Sequence, residues 1–250
     1  MTSSELTGAS GGLPALPRRS STAEHAAAML RLEIAQGRLL PGTKLREEHV
    51  SAAFAISRNT VREAFRLLSH ERLVDHTLHR GVYVRTVTAD DIRAMYRTRR
   101  LVEPLGVEAA IGDAAAIAEL SDLVEAAESA AARDDWQVVG TRDIDFHRRL
   151  MASCDSGHVS TMVEQLLAEL RLAFLRMPDR RALHGPYVAR NRRLVTLLEA
   201  GDRSGALSEL RDYLYTAEGQ LLGSLDQRPR GDPMIDNRLQ GGDDGPGAAA

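Results

Sequence analysis

Ile56-Ser57-Arg58-Asn59-Thr60-Val61-Arg62-Glu63-Ala64-Phe65-Arg66-Leu67-Leu68 is the stretch on which the reading of this chain turns. Ser57 is placed to cap a helix by accepting from the backbone N–H near Thr60. Val61, Ala64, Phe65 and Leu68 then recur at helical spacing and form a stripe to be buried. Arg58, Arg62 and Arg66 follow one another at i, i+4 and i+8, so their guanidinium groups share an outward face, with Asn59 and Thr60 beside the first turn. Such a ladder on an isolated helix is ordinary solvated surface; the flanking segments give it another meaning.

Upstream, Arg46 to Phe54 reads as a short helix joined to the capped helix by Ala55-Ile56. Before it, a helix from Ala23 to Gln36 carries Ala26, Met29, Leu30 and Ile34 on one side and ends at Gly37, ahead of the turn Leu40-Pro41-Gly42. Downstream, Leu73 to His76 and Val82 to Arg85 read as extended pieces around Thr77-Leu78-His79-Arg80-Gly81, a hairpin with a basic tip. A short helix, a tight turn, a capped arginine helix and a hairpin make the pattern of a winged helix-turn-helix. In a major groove the N-terminal turn of the second helix lies nearest the bases. That places Arg58, Asn59, Thr60 and Arg62 at the reading edge with Ser57 at the cap, while Arg66 and Arg46 suit phosphates. His79, Arg80 and Gly81 of the wing are positioned for the adjacent backbone or minor groove.

The whole chain has 250 residues, room for two domains. Its 43% hydrophobic content with only 4% aromatics comes chiefly from Ala, Leu and Val, which favours helices. Net charge is -3 but unevenly spread: from Arg18 to Arg85 there are 12 basic against 7 acidic residues, so the front holds the charge suited to nucleic acid. Lys44 is the one lysine; the other basic residues are arginines, whose planar forks bind phosphate and guanine edges bidentately. One cysteine, Cys154, rules out an intrachain disulfide and a multi-cysteine zinc site. No apolar run is long enough to cross a bilayer and no secretion signal is read at the start, so a cytoplasmic protein is expected, nucleoid-associated when on DNA.

Residues 1–20 and 226–250, rich in Ser, Gly and Pro, are expected to be disordered tails. Between them, 21–86 reads as the winged helix-turn-helix and 88–223 as an all-helical domain, with helices near 90–111, 114–133, 135–153, 157–177, 184–200 and 203–223. Pro104 is expected to kink the first of these. On the third, Asp143 and His147 stand at i, i+4 on the stripe of Val139, Phe146 and Leu150, and so face the interior. A buried carboxylate needs a partner: a metal, an arginine or the neighbouring imidazole. Arg99, among Met95, Tyr96, Val102 and Gly106, is the inward arginine on its helix.

Leu45-Arg46-Glu47-Glu48-His49-Val50, the capped helix itself, Glu71-Arg72-Leu73-Val74 and Arg80-Gly81-Val82-Tyr83-Val84 together resemble the GntR family of bacterial regulators. One departure is Ala55, where that family usually has glycine; a left-handed turn there would cost alanine roughly 1 kcal/mol. The resemblance implies that Arg46, Arg58, Thr60 and Arg62 lie against DNA and that dimers bind palindromic operators. Asp143-Ile-Asp-Phe146-His147, with Arg99-Arg-Leu-Val-Glu103-Pro-Leu and Leu198-Glu-Ala-Gly-Asp202, resembles the FadR subfamily, whose helical domain encloses an effector pocket. Many members hold a divalent metal there with this Asp and His and two further histidines. Those two positions fall here on Asn191 and Tyr213, both on inward stripes, and an amide with a neutral phenol makes a poor chelate.

The expectation is therefore a metal-free pocket of Arg99, Asp143, His147, Asn191 and Tyr213, accepting a carboxylate effector through Arg99, with at most a weak metal at Asp143 and His147. His158 and His184 are given surface or capping positions. The fold class is mainly α: an N-terminal winged helix-turn-helix with a small hairpin, and a C-terminal helical bundle. The function implied is a ligand-responsive regulator of transcription, usually a repressor, acting as a homodimer on double-stranded operator DNA, with no membrane partner. An enzyme with a hydrolytic metal site at Asp143 and His147 is disfavoured by the missing ligands and nucleophile. A DNA-binding protein whose helical domain only dimerises is the other alternative.

Overall fold

The computed structural model describes residues 21–77 and 80–226. The tails expected over 1–20 and beyond Asp226, and His79 of the wing, lie outside the described residues. The first helix, α1, spans Thr22–Ala35 and is closed at its start by a capping box, Ser21 with Glu24. Ala23, Ala26, Ala27, Leu30 and Ile34 are its buried positions, whereas Met29, expected on that stripe, is 49% exposed. Two short helices follow, α2 (Glu47–Phe54) and α3 (Arg58–His70). Ser57 caps α3 as its position predicts, its Oγ accepting from the Thr60 N–H at 3.1 Å, and Val61, Ala64, Phe65 and Leu68 are buried.

Ala55 adopts the left-handed conformation, φ 52° and ψ 42°, that closes the turn between α2 and α3. An Ala55→Gly substitution should raise stability by about 0.5–1 kcal/mol, because glycine escapes the Cβ–carbonyl clash at some extra entropic cost. Thermal and urea denaturation check this; an unchanged or lowered midpoint would contradict it.

The expected hairpin is a three-stranded antiparallel sheet. Strands β2 (Val74–Thr77) and β3 (Gly81–Val84) form the wing, and β1 (Lys44–Leu45) adds on the other side of β3, giving the order β1-β3-β2. Leu45 pairs with Val82 and Val74 with Val84, so that their side chains join the core under α1 and α3. A two-residue strand is too short to show alternation, which is why β1 escapes a reading of pattern.

Six helices follow: α4 (Ala89–Ala110), α5 (Ala114–Ala132), α6 (Trp136–Ala152), α7 (Gly157–Leu175), α8 (Arg180–Glu199) and α9 (Arg203–Asp226). α8 starts a turn earlier than the sequence suggests, because Asp179 caps it by accepting from the Ala182 N–H at 2.8 Å. Pro104 lies within α4 without dividing it. Gly106 has a different importance. A Cβ there would stand 2.8 Å from the Leu150 carbonyl oxygen, so the missing side chain lets α4 and α6 approach backbone to backbone. That approach brings the inward residues of the two helices together. The head rests on the bundle through Arg171 Nε to Ala35 O (2.8 Å), Arg176 Nη1 to Val87 O (2.6 Å) and the Arg72–Glu169 ion pair (3.1 Å). Among the described residues no helix is long and apolar enough to cross a membrane.

Candidate DNA-contacting face and buried polar cluster

The ladder on α3 stands in solvent. Arg58 pairs with Glu48 (3.1 Å), Arg62 with Glu47 (2.9 Å) and Arg66 with Glu63 (2.6 Å), the three arginine side chains being 60, 63 and 67% exposed. Exposed pairs of this kind contribute about 0–1 kcal/mol, so little holds these guanidinium groups to their glutamates. The pairs from Arg58 and Arg62 also tie α3 to the start of α2, where Arg46 is the exposed N-cap residue. Asn59 is exposed beside them, and the Ser57 and Thr60 hydroxyls are 2.8 Å apart. On the wing, Arg80 is exposed and its carbonyl accepts from the Tyr83 hydroxyl at 3.2 Å. Gly81 has φ +103°, a conformation that side-chain-bearing residues rarely adopt.

Inside the bundle, four helices direct polar side chains to one place. Arg99 of α4, Asp143 and His147 of α6, Asn191 of α8 and Tyr213 of α9 are each at most 7% exposed. The Asp143 Oδ1 accepts from the Tyr213 hydroxyl at 2.7 Å and from Asn191 Nδ2 at 2.9 Å. The His147 Nε2 lies 3.1 Å from the same hydroxyl. Asp143 thus takes a phenol and an amide as partners, where the sequence left a metal, an arginine or the neighbouring imidazole open.

Arg99 turns instead to Glu103, one turn along its own helix, with Nε to Oε1 at 2.5 Å, and the other oxygen of Glu103 is 2.9 Å from His147 Nδ1. Burial pushes the Glu103 carboxyl up, but Arg99 first and His147 next outweigh it and hold the group at about 2. Glu103 was missed as a member of this cluster, although its i, i+4 spacing from inward Arg99 was a readable signal. His184 is a second omission. Assigned to the surface or a cap, it is buried, packs edge-on against Phe174 with ring centroids 4.9 Å apart, and falls to about 4 through burial. The space it fills is opened by Gly140, where a Cβ would collide with the imidazole. His158 is exposed.

Tyr96, Arg99, Asp143, His184, Tyr187 and Tyr213 line a chamber whose free volume is only about 10 Å³, the space of about one water molecule. Apart from Glu103 Oε2 and His147 Nδ1, which meet as an ion pair without hydrogen-bond geometry, two polar atoms of the cluster are buried without a partner, Arg99 Nη2 and Asn191 Oδ1. Burial raises the Tyr213 hydroxyl well above its ordinary pKa, and Asp143 raises it further, so it stays protonated and remains a donor. As for a metal, Asp143 and His147 are already engaged with Tyr213, and no three His, Cys, Asp or Glu side chains are grouped to hold an ion among the described residues. This donor set does not fit a tight divalent site.

The fold is that of a winged helix-turn-helix head followed by a helical domain. Residues 22–84 match the model of the bacterial regulatory proteins of the gntR family, and residues 94–216 match the FCD domain. A solved structure from Rhodococcus sp. RHA1, described as a GntR transcriptional regulator, is 41% identical with a TM-score of 0.77, over 82% of this chain and 99% of that one. The gluconate operon repressor of Bacillus subtilis is 28% identical over 59% of this chain; the match spans 61% of that repressor's length. A repressor assigned to a D-xylose utilisation operon in Paenarthrobacter nicotinovorans is 28% identical, over 74% of this chain and 81% of its own. The chain belongs to the GntR family. It is a transcriptional regulator carrying an FCD effector-binding domain, and its relatives are regulators of transcription rather than enzymes.

Proposed function

We propose that this regulator binds a palindromic operator as a homodimer and that a small hydroxylated carboxylate, taken up by the buried cluster, changes its hold on DNA. The observation that carries the effector class is the pair of unsatisfied atoms. Arg99 Nη2 is a charged donor without an acceptor, and Asn191 Oδ1 is an acceptor without a donor. Buried groups of this kind are costly to leave unpaired. A carboxylate on the free edge of Arg99 and a hydroxyl toward Asn191 satisfy both. The names of two relatives, which refer to gluconate and D-xylose operons, are in keeping with a hydroxylated metabolite. For the dimer, Leu101 and Leu105 of α4 and Tyr215 of α9 are 72, 54 and 57% exposed on two helices packed together, an apolar surface suited to a second copy.

The cluster works in this reading without a metal. Asp143 and His147 orient Tyr213, and a ligand enters by displacing water and parting side chains, since the closed chamber is smaller than any metabolite. That small volume is also what favours a second reading, in which the helical domain only dimerises. Denaturation of the full chain with and without gluconate and related hydroxy acids separates the two. An effector at 100 times its Kd adds about 2.7 kcal/mol of stability. A flat response to the whole panel favours the second reading, and one tightly held zinc or nickel per purified chain overturns the metal-free site.

A further inference from the structure

A separate cluster lies where the head meets the bundle. Arg171 of α7 is only 9% exposed, and its Nε donates to the Ala35 carbonyl at the end of α1, leaving the rest of the guanidinium facing a cleft. No carboxylate among the described residues forms an ion pair with Arg171; Asp145 acts on it only at longer range, while the charge of Arg180 opposes it. Arg180 also lacks a carboxylate partner among the described residues, and its Nη1 donates to Gln137 Oε1 at 3.2 Å. Gln137 donates in turn from Nε2 to the Gln36 carbonyl at 3.3 Å, which links Arg180 to the end of α1. The arginines that line the cleft beside Arg171 are neutralised, Arg31 by Glu71 and Arg148 by Asp145 and Glu164.

The cleft has a volume of about 880 Å³, within the range of small-molecule sites, and Arg171, Gln137 and Gln36 lie along it. Gln36 Oε1 is buried without a hydrogen-bond partner. A charge nine-tenths buried with no counter-ion is unfavourable, and an acceptor without a donor adds to the deficit. The negative end of α1 is already met by Arg171 Nε, which leaves the other edge of the guanidinium for a ligand.

We infer that this cleft is a second ligand site, for a small oxyanion, carboxylate or phosphate, that also carries a hydroxyl or N–H. The anion meets the free edge of Arg171 within reach of the Arg180 charge, which lies outside the lining of the cleft, and the donor meets Gln36 Oε1. Because Gln36 follows α1 and the two arginines belong to α7 and α8, an occupant ties the DNA-binding head to the bundle. The cleft shares no lining residue with the central chamber.

The test is isothermal titration calorimetry of the full chain with inorganic phosphate in one arm and L-malate in the other, at constant ionic strength. Saturable binding of one anion per chain is expected in at least one arm, and the responding arm identifies the oxyanion. Arg180→Gln, at a half-exposed position in the first turn of α8, should weaken it at least tenfold, and Arg171→Lys likewise. Arg93→Gln, at an exposed arginine of α4 that lines neither region, should leave it unchanged. No saturable binding in either arm, affinity unmoved by Arg180→Gln, or equal loss in Arg93→Gln would each overturn the inference; the last would reduce the binding to attraction by net charge.

Discussion

Arg99→Leu should lower the stability of the folded chain by about 3–5 kcal/mol at pH 7, the loss typical of a buried ion pair deprived of one member. Glu103 would then lie 2% exposed with its carboxylate beside His147 alone, and Tyr96 would lose a guanidinium 5.0 Å from its ring centre. The pH dependence identifies the cause. In the wild type Glu103 is held at about 2, below its ordinary 4.5. Its contribution is complete above 4.5 and is lost as the pH falls toward 2, amounting to about 3 kcal/mol. His184, lowered from 6.5 to about 4, adds a loss between those two values, because the unfolded chain takes up the proton first.

In Arg99→Leu, Glu103 instead favours its neutral form, so acidification below pH 5 should narrow the gap between variant and wild type. Urea denaturation at several pH values measures this. The double variant Arg99→Leu, Glu103→Leu should recover much of the loss, since two apolar side chains leave no charge to be compensated. A single variant within 1 kcal/mol of wild type at pH 7 would mean that Arg99 and Glu103 are not coupled as described.

Arg62→Ala should weaken binding to a footprinted operator by about 5- to 150-fold, the equivalent of 1–3 kcal/mol, and flatten the preference at the base pair it reads. Stability should change little, because Arg62 is 63% exposed and its pairing with Glu47 is a surface contact. Fluorescence anisotropy over a salt series distinguishes reading from mere attraction. A base-reading Arg62 costs affinity for the operator more than for unrelated DNA. A phosphate contact costs both alike and lowers the salt slope by about one unit. Unchanged affinity and preference would remove Arg62 from the interface.

Much of this was open to sequence reasoning because it is local. Ser57 caps α3 and Ala55 takes the left-handed turn through contacts spanning a few residues. Helical spacing placed Arg99, Asp143 and His147 inward, the family resemblance singled out Asn191 and Tyr213 on inward stripes, and all five are buried. It could not say which inward group meets which. Spacing marks a face of a helix but not the partner across the bundle, so the partner of Asp143 stayed open among a metal, an arginine and an imidazole, and the hold of Glu103 on Arg99 along α4 went unread. His184 was invisible for a related reason: the room it occupies is made by Gly140, 44 residues away, and no pattern within α8 records it.

What the amino-acid order determined unaided, then, was the run of helices, their caps, their inward stripes and the arginine face, each governed by neighbours within a turn or two. What the folded arrangement alone decided was the partnering and the space. Gly106 permits α4 and α6 to meet, Asp143 takes Tyr213 and Asn191, the central chamber closes to about 10 Å³, and the cleft beside Arg171 remains open at about 880 Å³. Volumes and counter-ions depend on side chains brought together from distant elements in close packing, and there a shift of a single rotamer turns a filled space into an empty one.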